Sequence, residues 1–157
     1  FDGVHEAVSA IMRFPGERVA NFTCSFGAAG IDSSYLVGAK GWLRLSPGFD
    51  FHEQKRLALS IGGSFEEEAI PRYNEFGGEL AYFADCIIDN TEPEPDGREG
   101  LADVRVVDAM LNSIRTQKPV ALAPFEKKTR PDESLKRELP PVEFAKLFRA
   151  KNPGGGS

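Results

Sequence analysis

Three consecutive carboxylates, Glu66-Glu67-Glu68, form the densest group of potential acid–base residues in the sequence. Paired carboxyls for general acid–base work must sit on one side of the backbone. The surrounding residues favour a strand, where neighbouring side chains face opposite ways, so the trio predicts a solvated edge. His52 beside Glu53 is a weak proton-transfer pair, and His5 reads as the cap of a polar sheet face. Cys24 and Cys86 are 62 positions apart and the two histidines 47 apart, so no metal-ligand spacing occurs. A Cys24–Cys86 disulfide stays open, although lone cysteines more often act as small core hydrophobes. There is no Gly-x-Ser-x-Gly elbow, no Gly-x-Gly-x-x-Gly after a strand and no P-loop, hence no marked nucleophile or phosphate cradle. Lys118 before Pro119 ends a helix, where a cation favours the helix dipole. These residues describe a binding or assembly domain, with no catalytic, cofactor-binding or metal-binding residues of its own.

The bulk properties narrow the class further. At 157 residues, with 41% hydrophobic and 27% charged residues, the chain has the composition of a folded domain rather than a disordered one. A net charge of −5 argues against nucleic acid or an anionic membrane as partner. The longest uncharged stretch, Val19 to Ile31, has 13 residues, too few to span a bilayer. No basic and apolar export signal opens the sequence, so the expected location is the cytoplasm, with the periplasm left open. Residues 124–157 carry eight Lys or Arg against five acids, and this basic segment is expected to be attracted to the acidic remainder.

Apolar alternation sets the elements that must position any site. Val8, Ala10, Met12 and Phe14 alternate with His5, Ser9 and Arg13, and Ala20, Phe22, Cys24 and Phe26 alternate with Asn21, Thr23 and Ser25. With Pro15-Gly16 between them, the two runs predict an antiparallel hairpin. Gly27 to Gly30 predicts a bulge or loop at the sheet rim. Ser34–Val37 with Gly41–Leu45, and Phe51–Ile61 with Phe65–Tyr73, predict two further pairs, the last joined by Gly62-Gly63. The period then changes to that of helices. Leu80, Phe83, Ala84, Ile87 and Ile88 share one face of a helix over 76–90. Asp96 and Glu99 have capping-box spacing ahead of a helix over 97–117, whose stripe is Leu101, Val104, Val107, Leu111 and Ile114. Val120-Ala121-Leu122 is read as a returning strand. The fold class is therefore α+β: an open, mainly antiparallel sheet of about six strands with two helices packed on one face, Leu80, Phe83, Ile87, Leu101, Val104 and Leu111 buried among them. Residues 1–123 form the sheet domain, 124–153 an extended proline-containing arm with a helical turn at Val142 to Phe148, and 154–157 a linker or cloning remnant.

Four segments in fixed order carry a family resemblance. They are Phe22-Thr23-Cys24-Ser25-Phe26, Tyr35 to Leu45, Glu79 to Ile87 and Gly97 to Ile114. Together they resemble the C-terminal domain of the glucose–fructose oxidoreductase/inositol dehydrogenase/MocA family, over about residues 4–122. The resemblance implies an open antiparallel sheet that supplies a substrate pocket and pairs with a second subunit. It also implies an N-terminal Rossmann domain as partner, binding NAD or NADP in the parent enzyme. The family's catalytic lysine lies in a Glu-Lys-Pro motif of that Rossmann domain, which does not occur here. Gln117-Lys118-Pro119 does not replace it, because it follows the last helix of the family pattern.

The expected function is accordingly the substrate-pocket and oligomerisation domain of an NAD(P)-dependent sugar or polyol oxidoreductase, inactive without the cofactor domain. Hydride transfer needs nicotinamide and substrate carbon held in near-attack geometry, and most of that positioning belongs to the other domain. Phe26, Ile31, Asp32 and Ser33, around the glycine segment, are the expected substrate-rim residues. A glycine segment that only curves the sheet is the competing account of them. Tyr35, Trp42 and Arg44 are the expected interface of a homodimer formed through the sheet face. An alternative from another class is a stand-alone or engineered homodimerisation scaffold without catalytic activity.

Overall fold

The computed structural model describes residues 5–126 and 129–142, so the expected turn at Val142 to Phe148 lies almost wholly outside the described residues. Two compact units divide them: residues 5–74 with 140–142, and the described part of 75–139.

In the first unit β1 (Ala7–Phe14) and β2 (Arg18–Ser25) pair antiparallel. The register places Val8 opposite Cys24, Ala10 opposite Phe22 and Met12 opposite Ala20, so the apolar residues of both strands share one face. The other face carries the cross-strand pair Ser9–Thr23, whose hydroxyls lie 2.6 Å apart. Alternation alone predicted both faces.

Residues 26–33 leave the ladder as bends and loop rather than as a bulge. Beyond them β3 (Ser34–Gly38), β4 (Gly41–Ser46), β5 (Arg56–Ile61) and β6 (Ser64–Ala69) pair in sequence order as an antiparallel meander. The fold is α+β with six antiparallel strands, as expected, but the strands divide into sheets of two and four because segment 26–33 interrupts pairing between β2 and β3.

One face of the meander carries Tyr35, Val37, Trp42, Arg44, Ala58, Phe65 and Glu67. The opposite face carries Leu36, Leu43, Leu45, Leu57, Leu59 and Ile61. Ala58, in the middle of the sheet, is fully buried. The last strand pair is shorter than its hydrophobic runs. Residues 51–55 are held as a loop by Asp50, described below, and Pro71 offers no N–H to prolong β6.

The second unit contains α1 (Glu75–Asp89) and α2 (Gly97–Thr116), close to the spans that periodicity predicts. α1 ends with Asn90 in the left-handed region, its N–H donating to Ile87 and that of Thr91 to Cys86, a Schellman pairing. Asp96 caps α2 as its spacing predicts, accepting from the N–H groups of Arg98 at 2.8 Å and Glu99 at 3.2 Å.

Two expectations fail in this unit. Leu80, Phe83, Ile87, Leu101, Val104 and Leu111 are each half exposed or more instead of buried. Helical spacing records which residues share a face, not what covers that face. Val120 to Leu122 is also not a strand. That segment is tied to α2 by Arg105, which donates to the Ala123 carbonyl at 3.0 Å and lies 5.3 Å from the Phe125 ring centroid.

Candidate functional site

The four rim residues lie together on the segment between β2 and β3, but they do different work. Phe26 donates its backbone N–H to the Glu6 carbonyl at 3.0 Å, extending the hairpin by one bond, and leaves its ring 70% exposed. Ile31 projects almost wholly into solvent, and Ser33 is half-buried. Asp32 is a clamp. Its Oδ1 accepts from the N–H groups of Gly48 at 2.9 Å and Phe49 at 3.0 Å, and its Oδ2 from those of Phe49 at 3.0 Å and Asp50 at 2.8 Å. The Asp32 carbonyl also accepts from the Ser46 hydroxyl at 3.3 Å. Three converging backbone donors use most of what a carboxylate can accept, so Asp32 serves as a local anion in a nest of amides.

The clamped loop is then folded by a second aspartate. Asp50 Oδ1 accepts from the N–H groups of His52 and Glu53, both at 2.6 Å. Those bonds from Glu53 and His52 hold the Asp50 carboxyl below its usual pKa. Residues 47–53 thereby become a closed loop fastened to the rim segment, with Phe49 73% and Phe51 54% exposed. Sequence reasoning took Phe51 for the start of a strand and passed over Phe49. The available signal was Pro47-Gly48 followed two residues later by an aspartate, an Asx-turn pattern.

The three expected interface residues share one face of the meander. Tyr35 is the cross-strand partner of Arg44, and Trp42 lies two residues along β4 from Arg44. Trp42 and Phe65 meet at a centroid distance of 6.1 Å and an angle of 45°. Arg44 Nη2 and Arg56 Nη1 each reach Glu67 at 3.4 Å. The Nε of Arg44 is buried with no hydrogen-bond partner. The register also settles the glutamate run: Glu66 and Glu68 sit opposite Leu59 and Leu57 on one face, and Glu67 sits opposite Ala58 on the other.

In the second unit, the basic segment after Pro124 does meet an acid. Arg137 Nη2 lies 3.4 Å from Asp85 on α1, and its guanidinium lies 5.7 Å from the Tyr82 ring centroid. The Tyr82 hydroxyl accepts from the Glu94 N–H at 2.9 Å. Glu75, Glu79, Tyr82, Pro131, Leu135 and Arg137 line the resulting cleft. Among the described residues no three His, Cys, Asp or Glu side chains group to hold a metal ion, and both cysteines are free. No described helix is long and apolar enough to cross a membrane.

Residues 4–122 match the family described as "Oxidoreductase family, C-terminal alpha/beta domain". The chain belongs to this family. It is 30% identical over 109 residues to a D-xylose 1-dehydrogenase (NADP(+)) of Haloarcula marismortui (strain ATCC 43049 / DSM 3752 / JCM 8966 / VKM B-1809), an alignment covering 69% of this chain and 30% of that relative. The chain thus spans less than a third of the relative's length. No solved structure gives a significant match.

Proposed function

We propose that this chain is the substrate-side and subunit-pairing domain of an NAD(P)-dependent sugar or polyol oxidoreductase. The nicotinamide cofactor and the catalytic residues then come from an N-terminal Rossmann domain. The observation that carries this reading is the family match over residues 4–122, supported by a relative whose name states a sugar and NADP(+). The sheet domain runs from residue 1 to about 123 in this reading, followed by the arm. Phe26, Ile31 and Ser33 stand on the substrate rim in this reading. Tyr35, Trp42 and Arg44 form the centre of a two-fold interface. Aromatic rings beside an arginine are the composition of such centres.

The test has two parts. The complete enzyme should reduce NADP or NAD in a sugar- or polyol-dependent manner, whereas the chain as given should neither do so nor bind either nucleotide in a calorimetric titration. Micromolar nucleotide affinity in this chain overturns the division of labour. Light scattering should give about twice the chain mass of 17.2 kDa, and Tyr35→Glu with Trp42→Glu should return it to the single mass. A single mass before mutation, or a dimer that survives it, overturns the interface.

A further inference from the structure

Resting on that reading, we infer that Asp32 is a positioning residue rather than a sugar ligand, and that the loop it holds presents Phe49 as a specificity-determining ring. Both Asp32 oxygens are occupied by the backbone of residues 48–50 at 2.8 to 3.0 Å. What reaches solvent from the clamped loop is therefore not the carboxylate but the aromatic rings. The single N–H of Phe49 is shared between both oxygens, 3.0 Å from each. Its neighbours are fixed as well. Asp50 folds the following turn, and a Cβ on Gly48 would lie 3.0 Å from Ser34 Oγ, so the loop backbone packs against the start of β3 with no slack.

Phe49 is 73% exposed on a backbone held at three consecutive amides. Pinning lowers the ordering cost of binding, so such a ring is pre-organised for a ligand with an apolar face. The C–H face of a pyranose or furanose ring is such a ligand. Specificity then arises from which sugar faces lie flat against the ring, while the nucleotide site is untouched.

The test uses the complete enzyme and two readouts. Asp32→Asn replaces one accepting oxygen with an NH2 that opposes the loop N–H groups. It should raise amide exchange at residues 48–50 at least tenfold and raise the sugar KM, leaving the nucleotide KM unchanged. Phe49→Leu should raise the sugar KM about five- to tenfold, about 1 to 1.4 kcal/mol, without altering exchange at 48–50, and Phe49→Tyr should restore it. Unchanged exchange in Asp32→Asn overturns the clamp. An active enzyme whose sugar KM ignores Phe49→Leu, or in which Phe49→Tyr fails to rescue, overturns the specificity role while the proposed function stands. A wild-type enzyme that oxidises or reduces no sugar or polyol overturns the proposed function and the specificity role together, and exchange still judges the clamp.

Discussion

Arg44 on β4 and Glu67 on β6 meet 3.4 Å apart across the strand between them, and the residue directly between them in the register is Ala58. Ala58 is wholly buried, flanked on its own face by these two long side chains of opposite charge. Ala58→Leu should force that bridge apart and cost roughly 1–3 kcal/mol, as overpacking does. Denaturant titration checks this, and an unchanged midpoint would show that the bridge does not cover the alanine.

Gly41 lies where β4 begins, and a Cβ there would fall 1.9 Å from the Ser60 carbonyl oxygen on β5. Backbone cannot retreat as a flexible side chain can. Gly41→Ala should therefore break the first rung of the β4–β5 ladder and lower stability by roughly 1–3 kcal/mol, whereas Gly30→Ala, with open space around it, should change the unfolding midpoint little.

Acid should release the loop after β4. The folded-state pKa of Asp50 lies below its usual 3.8, owing to the N–H bonds from Glu53 and His52. A depressed carboxylate pKa adds stability at pH values above the unfolded pKa, and that stability is lost as pH falls through the folded value. The loop should thus be intact at pH 6 and loosen below about pH 4. The amide shifts of His52 and Glu53 should report this, and Asp50→Asn should remove the transition from both signals.

The contact between Arg137 and Tyr82 predicts a salt-sensitive fastening of residues 129–139 to α1. Arg137→Ala removes the ring contact and the pair with Asp85 together, worth about 0.5–1.5 kcal/mol at a partly exposed site. Amide hydrogen exchange at residues 134–136 should become faster in the variant. Arg137→Lys should restore part of the protection, since it keeps the charge but not the planar face.

Much of the fold is legible in the sequence because it depends on neighbours in the chain. The hairpin faces of β1 and β2 follow from period-two alternation, and the N-cap at Asp96 from a side chain acting two and three residues away. The opposite orientations of Glu66, Glu67 and Glu68 follow from the pleat itself. Family membership, too, is carried by local segments in order.

Only the tertiary structure decided what those segments meet. Asp32 acts on residues 16 to 18 positions later, and nothing in either local pattern states that its carboxylate faces three amide groups instead of a ligand. The same holds for Arg137, which acts 52 positions back on Asp85. Periodicity likewise assigned Leu80, Phe83 and Leu111 to apolar stripes but could not say that they stay half exposed or more. The physical reason is common to all three cases. Backbone geometry fixes a side chain's face through covalent neighbours, whereas burial, ion pairing and amide capture depend on groups brought near by folding, whose identity local spacing does not record.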